Sequence, residues 1–189
     1  LTWTFHINDK VKFSNGDKLT AEIAKESLER TFKLSNRAQS IFQYAEIKAD
    51  GQNLIIKTKN PTPSLPGMLA DPLFIIIDTK VKDRDIKKQG PICTGPYAVK
   101  TYSKAKAVMV ANPNYWDGAV PFKNAEIPTI DDPNTRAMAL QKGEIDFAIN
   151  IAAGDLQLFK DKAKYNISEI ASLRTVLAQI NMNEGKPLH

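Results

Sequence analysis

This sequence predicts an α/β fold of mixed sheets with flanking helices, on three observations. Short runs of period two alternate with a long amphipathic run of period three to four. A helix with both ends written out leads directly into another alternating run, and turn residues punctuate the intervals between these segments.

The first run alternates Trp3, Phe5 and Ile7 against Thr2, Thr4 and His6, the period of a half-buried strand. Asn15-Gly16 marks a tight turn. Thr20 then stands as an N-cap, Glu22 places negative charge in the first turn, and Ile23, Ala24, Leu28, Thr31 and Phe32 share one face of a helix ending near Leu34. On its outer side Lys25 and Glu29, and Glu26 and Arg30, are spaced as ion pairs.

Ala45 to Ala49 and Asn53 to Thr58 flank Asp50-Gly51-Gln52 and predict a hairpin. The proline-spaced stretch Pro61 to Pro66 reads as an irregular loop, and Phe74 to Ile77 as a fully buried strand. Gly90-Pro91 and Gly95-Pro96 punctuate the middle of the chain. Beyond them Tyr97 to Tyr102 and Ala107 to Ala111 predict a strand pair, Asn112-Pro113-Asn114 a turn, and Tyr115-Trp116 an aromatic packing anchor.

Asp132 as N-cap, Pro133 at the first helical position, Ala137 and Leu140 on one side and Gly143 past the end specify a short helix. Ile145, Phe147 and Ile149 then alternate with Glu144, Asp146 and Ala148 as a strand. A second helix, Asp155 to Asp161, and two strands, Asn166 to Ala171 and Arg174 to Asn181, complete the layer.

Composition excludes more than it selects. With 42% hydrophobic and 25% charged residues among 189, the chain has the balance of one substantial globular domain or two small ones. The longest apolar run, Leu73 to Ile77, is far short of the roughly 20 residues that cross a bilayer. The 26 basic against 21 acidic side chains are scattered; the densest cluster, Lys80 to Lys88, mixes signs and lacks base-stacking aromatics, so it reads as a solvated face and not as a nucleic-acid site.

Catalytic patterns are missing. His6 and His189 have no spacing that builds a metal cage or a triad, and no phosphate-cradling loop or nucleophile elbow occurs. Cys93, a single cysteine, reads as a small buried residue, and Glu144 with Asp146 as the wet side of a strand. No catalytic residue, cofactor or metal ligand is therefore expected. The chain opens at Leu1 within a strand-like run, so a longer natural chain bearing any export signal is expected.

Four phrases then occur in order. They are Leu1 to Ile7 running on through Val11-Lys12-Phe13-Ser14-Asn15-Gly16 to Glu22; Thr94-Gly95-Pro96-Tyr97, with Cys93 where a glycine is usual; Asn112-Pro113-Asn114-Tyr115-Trp116; and Asp132-Pro133-Asn134-Thr135-Arg136 through Gly143-Glu144-Ile145-Asp146. Together they resemble the family 5 bacterial extracellular solute-binding proteins, which include the dipeptide, oligopeptide and nickel receptors of ABC importers.

The resemblance implies part of the N-terminal lobe of a type II periplasmic-binding-protein-like fold. Residues 1–90 would be its smaller α+β subdomain, 91–181 its α/β core and 182–189 the start of the hinge crossing. It implies a periplasmic or cell-surface lipoprotein receptor and not an enzyme. Such a receptor closes two lobes over a di- or oligopeptide or a nickel–chelator complex and presents it to ABC permease subunits. Arg37, in the loop after the first helix, would stand for an arginine that pairs with chelator carboxylates, and Asn150, at a strand end, lies where family members approach the ligand. Asp71 to Ile76, where a second arginine would align, has none. A receptor lobe reused for peptide sensing or adhesion, and a truncated hydrolase domain, are the alternatives. An isolated lobe is also expected to self-associate through exposed apolar cleft surface.

Overall fold

The computed structural model describes residues 1–82 and 84–171, so Arg174 to Asn181, His189 and the expected hinge segment 182–189 lie outside the described residues. The chain divides into two compact units, Leu1–Thr129 and a second beginning at Ile130.

In the first unit β1 (Thr2–His6), β2 (Tyr44–Asp50) and β3 (Asn53–Thr58) form an antiparallel sheet of order β1-β3-β2. Trp3 faces Ile56 and Phe5 faces Leu54, while Asp50 and Asn53 close the hairpin at Gly51, whose φ of +59° suits glycine. Helix α1 (Ala21–Leu34) packs on this sheet through Ile23, Ala24, Leu28 and Phe32, all buried. Thr20 caps it as expected, its hydroxyl accepting from the Ile23 amide at 3.3 Å. Around Phe32 the rings of Tyr44, Phe42 and Phe74 lie at 4.7, 5.0 and 5.6 Å between centroids, an aromatic cluster sealing the end of the helix.

A second antiparallel sheet, of order β4-β5-β6, follows: β4 (Tyr97–Tyr102), β5 (Lys106–Ala111) and β6 (Asn124–Pro128). β6 is unforeseen from sequence because Ala125 and Ile127 are its only apolar side chains, too few to show a period. Its ladder to β5 and the Lys106–Glu126 ion pair at 2.8 Å hold it at the sheet edge, where the missing amide of Pro128 does no harm.

Several local expectations are corrected in this unit. Residues Asn36–Ile41 form helix α2 and not a loop, with the Ser35 hydroxyl accepting from Ala38 N and the Gln39 amide donating to the Phe32 carbonyl at 3.0 Å. Lys25 pairs with Glu22 at 3.0 Å and not with Glu29; that hydrogen bond is the main cause of its raised pKa. Glu26 accepts from the Thr79 hydroxyl, so it too is diverted from the expected partner Arg30. Helix α3 (Leu65–Leu69) begins within the proline-rich loop, and a single helical turn, α4 (Ile86–Gln89), lies in the lysine-rich stretch.

Phe74 to Ile77 is not a strand. Phe74 ends a 3-10 turn (Pro72–Phe74), Ile75 is 52% exposed, and the extended backbone beyond has no neighbouring strand. Its polar groups find partners elsewhere: buried Ser27 Oγ accepts from Ile77 N at 3.0 Å, and Asp78 N donates to the Ile92 carbonyl at 2.9 Å.

The second unit contains α5 (Pro133–Lys142), capped as expected. The Asp132 carboxylate accepts from Thr135 N and Oγ1 at 2.7 Å each, and Gly143 closes the helix at φ +76°. The Thr135 hydroxyl, then its amide, hold the Asp132 carboxyl below the usual carboxylate range. After Gly143 the strand expected over Ile145 to Ile149 does not form, and Phe147 and Ile149 are 78% and 62% exposed. Alternation gives a strand only where another strand takes up its amides and carbonyls, and residues 130–171 supply none. For the same reason Asn166 to Ala171 has no strand geometry. The helix expected from Asp155 is instead a 3-10 segment, Ala153–Phe159, burying Phe159.

Candidate functional site

Three of the four sequence phrases meet at one hydrogen-bonded node in the first unit. The Phe13-Ser14-Asn15-Gly16 turn, closed by Gly16 N donating to the Phe13 carbonyl, sends Ser14 N to the Cys93 carbonyl at 2.9 Å. Asn114 Nδ2 returns to the Ser14 carbonyl at 3.3 Å. Buried Asn112 donates through Nδ2 to the Gly95 carbonyl at 2.8 Å and through its backbone N to the Pro96 carbonyl at 2.9 Å, and its Oδ1 accepts from Asn114 N. Asn15 Nδ2 donates to buried Asp78 at 2.8 Å.

This node is architectural: it ties the turn before α1 to the two chain segments that meet at the open end of the β4–β5 hairpin. It also accounts for Cys93 standing in a phrase where glycine is usual, since Ser14 meets the main chain of residue 93 and not its side chain. The half-buried thiol has its pKa pushed up to about 11 by burial, which leaves it protonated and poorly nucleophilic at neutral pH.

Arg37 stands exposed on α2 and donates from Nη2 to Asp71 Oδ2 at 3.0 Å. Asp71 is fixed from the other side, its Oδ1 accepting from Leu73 N at 2.9 Å as the cap of the 3-10 turn. The arginine's charge is thus balanced by a carboxylate within the stretch where the resemblance would align a second arginine.

Asn150 lies in the second unit, exposed, with φ +56°, the left-handed region asparagine tolerates better than most residues. Its carbonyl accepts from Arg136 Nη2 at 2.9 Å, and Arg136 Nη1 donates to the Ile130 carbonyl at 2.6 Å. Asp71 and Arg136, the groups that hold the two predicted residues, were not singled out from sequence; the only signal for Arg136 was its place in the Asp132 to Arg136 phrase.

His6 is a surface strand residue whose Nδ1 lies 3.1 Å from Asn53 Oδ1. Trp116 is 46% exposed beside Tyr115, so the aromatic pair is only partly buried. A shallow cleft of about 410 Å³, lined by uncharged polar groups that include Gln39, Gln43, Asn60 and Thr62, contains neither Arg37 nor Asn150. Among the described residues no cluster of His, Cys, Asp and Glu is arranged to hold a metal, and no helix is long and apolar enough to cross a membrane.

The family model for bacterial extracellular solute-binding proteins, family 5 Middle, matches residues 1–189, and the chain belongs to that family. Its fold is that of the type II periplasmic binding proteins. The nickel-binding protein NikA of Staphylococcus aureus is 32% identical over 186 residues, covering 98% of this chain and 38% of that protein. The probable D,D-dipeptide-binding periplasmic protein DdpA of Escherichia coli is 29% identical over 197 residues, covering 99% and 38%. The crystal structure of the Staphylococcus aureus NikA in complex with Ni(L-His)2 matches with a TM-score of 0.70 at 35% identity, covering 76% of this chain and 30% of that one. The chain therefore spans under two fifths of the length of these relatives, both of which are named as binding proteins.

Proposed function

We propose that this chain is part of the N-terminal lobe of the substrate-binding component of an ABC importer. The receptor captures a small solute outside the cytoplasm by closing two lobes over it and delivers it to permease subunits in the membrane. The observation that carries this reading is the node joining Ser14, Cys93, Asn112 and Asn114, which gives the family's phrases a common structural purpose across most of the first unit. Capture by closure needs no covalent step, in keeping with a chain whose sequence offers no nucleophile and base at a working spacing.

The ligand we favour is a di- or oligopeptide. Asp71 accepts from Arg37 Nη2 at 3.0 Å, so an anionic chelator would have to share the arginine with a carboxylate fixed beside it. A peptide, bound largely through its amide groups, makes no such demand. A nickel–histidine complex is the second reading, favoured by the 32% identity to a protein named for nickel binding.

Calorimetric titration of the full-length protein with a small peptide pool, and with nickel in the presence and absence of histidine, decides between them. Saturable peptide heat without a nickel response is expected. Nickel binding that requires histidine would reverse the ranking, and turnover of a peptide would replace the receptor by a hydrolase.

A further inference from the structure

The positive charge of this chain is concentrated. Between Lys80 and Lys106 there are eight basic and two acidic side chains, whereas the rest of the chain carries 18 basic and 19 acidic ones. That one stretch therefore supplies more than the whole net charge of +5. In sequence it reads as a mixed cluster, Lys80 to Lys88, with three separate lysines beyond it, and the fold brings the two parts together. Helix α4 lies directly on β4, and Gly90 makes the approach possible: a Cβ there would stand 2.7 Å from Cγ1 of Val99. Lys82, Lys87 and Lys88 thus share one region of the first unit with Lys100 on β4 and Lys104 in the turn that follows, and all five are exposed.

The chemistry of this patch is that of separate point charges. Arg84, the one guanidinium in the stretch, is occupied: it donates from Nε to the Gly90 carbonyl at 2.6 Å and from Nη2 to the Gln89 carbonyl at 2.7 Å. Lys88 lies 3.6 Å from Asp85, and Lys106 2.8 Å from Glu126. Lys80, Lys82, Lys87, Lys100 and Lys104 make no ion pair among the described residues. A bidentate fork selects a particular phosphate or carboxylate, whereas ammonium groups on flexible stems are drawn to any dense negative surface. In the same stretch Val81 is 38% and Tyr102 45% exposed, an apolar contact and an amphipathic ring suited to the headgroup level of a bilayer.

We propose that this lysine patch rests on the anionic phosphate headgroups of a lipid bilayer and holds the chain at the membrane face by diffuse attraction. A receptor that hands its solute to a permease gains encounters by staying on that surface. The inference goes beyond the receptor reading, and its test involves no solute.

The full-length polypeptide, without attached lipid, is mixed with vesicles of phosphatidylcholine alone or of phosphatidylcholine with an equal part of phosphatidylglycerol, and the bound fraction is read by co-sedimentation. Binding to the anionic vesicles alone is expected. It should fall by about tenfold or more between about 0.1 and about 1 M salt, as the screening length shrinks from about 10 to about 3 Å. Lys82→Gln, Lys87→Gln and Lys100→Gln combined should weaken it by about fivefold per lysine, roughly a hundredfold in all. Lys33→Gln, Lys57→Gln and Lys59→Gln combined lower the net charge equally, from exposed sites on α1 and at the end of β3, and should cost less than about twofold.

Equal losses from the two triple variants overturn the proposal, because net charge and not this patch would then govern binding. Equal binding to both kinds of vesicle overturns it, as does displacement by inorganic phosphate at the concentration of the lipid phosphate, which would mark a discrete anion site. Tighter binding to single-stranded DNA than to anionic vesicles would assign the patch to a nucleic acid instead. Wild-type protein that binds no vesicle overturns it too, and leaves the receptor reading to the solute titration above.

Discussion

The two compact units differ in how much of their apolar surface they enclose among the described residues. Between Leu1 and Thr129 the chain encloses a continuous core: Phe13 and Ile56 are fully buried, and Phe32 is 4% exposed among the rings of Phe42, Tyr44 and Phe74. From Ile130 on it buries Ala137, Ala139 and Phe159 but displays Phe147 at 78%, Ile149 at 62% and Ile170 at 85% exposure. Both regions carry the alternation of a strand. In the first, β3 supplies the ladder that turns the alternation of β1 into a strand; in the second, nothing among residues 130–171 does. A period of two reports which residues share a face, and pairing decides whether that face is buried.

The largest effect that would sharpen this contrast is expected at Phe32. Truncating a buried phenylalanine removes its transfer free energy and leaves a cavity, so Phe32→Ala should cost about 3–5 kcal/mol. Urea unfolding reads this as a lower midpoint at unchanged slope. A loss below about 1 kcal/mol would mean that the aromatic cluster closes over the gap, and that the first unit is less tightly built than its burial indicates.

A smaller effect is expected at the node. Asn112→Ala leaves the Gly95 carbonyl without its side-chain donor and the Asn114 amide without its acceptor, at a cost of about 1–3 kcal/mol. Cys93→Gly should change far less, because Ser14 donates to the carbonyl of residue 93 and that carbonyl stays. Unfolding measured on both variants separates main-chain from side-chain roles, and equal losses would break the architectural account of the phrases.

Legibility followed the same division between local and distant causes. The strands β1 to β5, α1 and α5 with both caps are written in local periodicity and in single residues such as Thr20, Asp132 and Gly143. β6 is not, because two apolar residues carry no period and the strand is held by its neighbour. Phe74 to Ile77 misleads in the other direction: a β-branched apolar run indicates burial, but Ser27, 50 residues away from Ile77, takes the hydrogen bond a sheet would have taken.

The candidate site was legible only through resemblance. Arg37 and Asn150 have no local signature, and the groups that define their states, Asp71 at 34 residues' separation and Arg136 at 14, come together only by tertiary placement. The resemblance nominates these two positions; in the structure Arg37 is paired with Asp71, and the Asn150 carbonyl accepts from Arg136.

The smallest expected effect tests the other half of the comparison. Phe147 is 78% exposed, so Phe147→Ser removes little buried surface and should shift stability by no more than about 0.5 kcal/mol. It should also lower self-association of the isolated chain, since an exposed apolar run next to unpaired backbone is an adhesive edge. Sedimentation of the isolated chain with and without the substitution reads the second effect. A large loss of stability in the full-length protein would show that Phe147 is buried there, and that the alternation of Ile145, Phe147 and Ile149 encodes a strand whose partner lies outside the described residues. In that case the exposure that separates the two units belongs to this stretch of chain alone, and the period of two was the better guide to the whole protein.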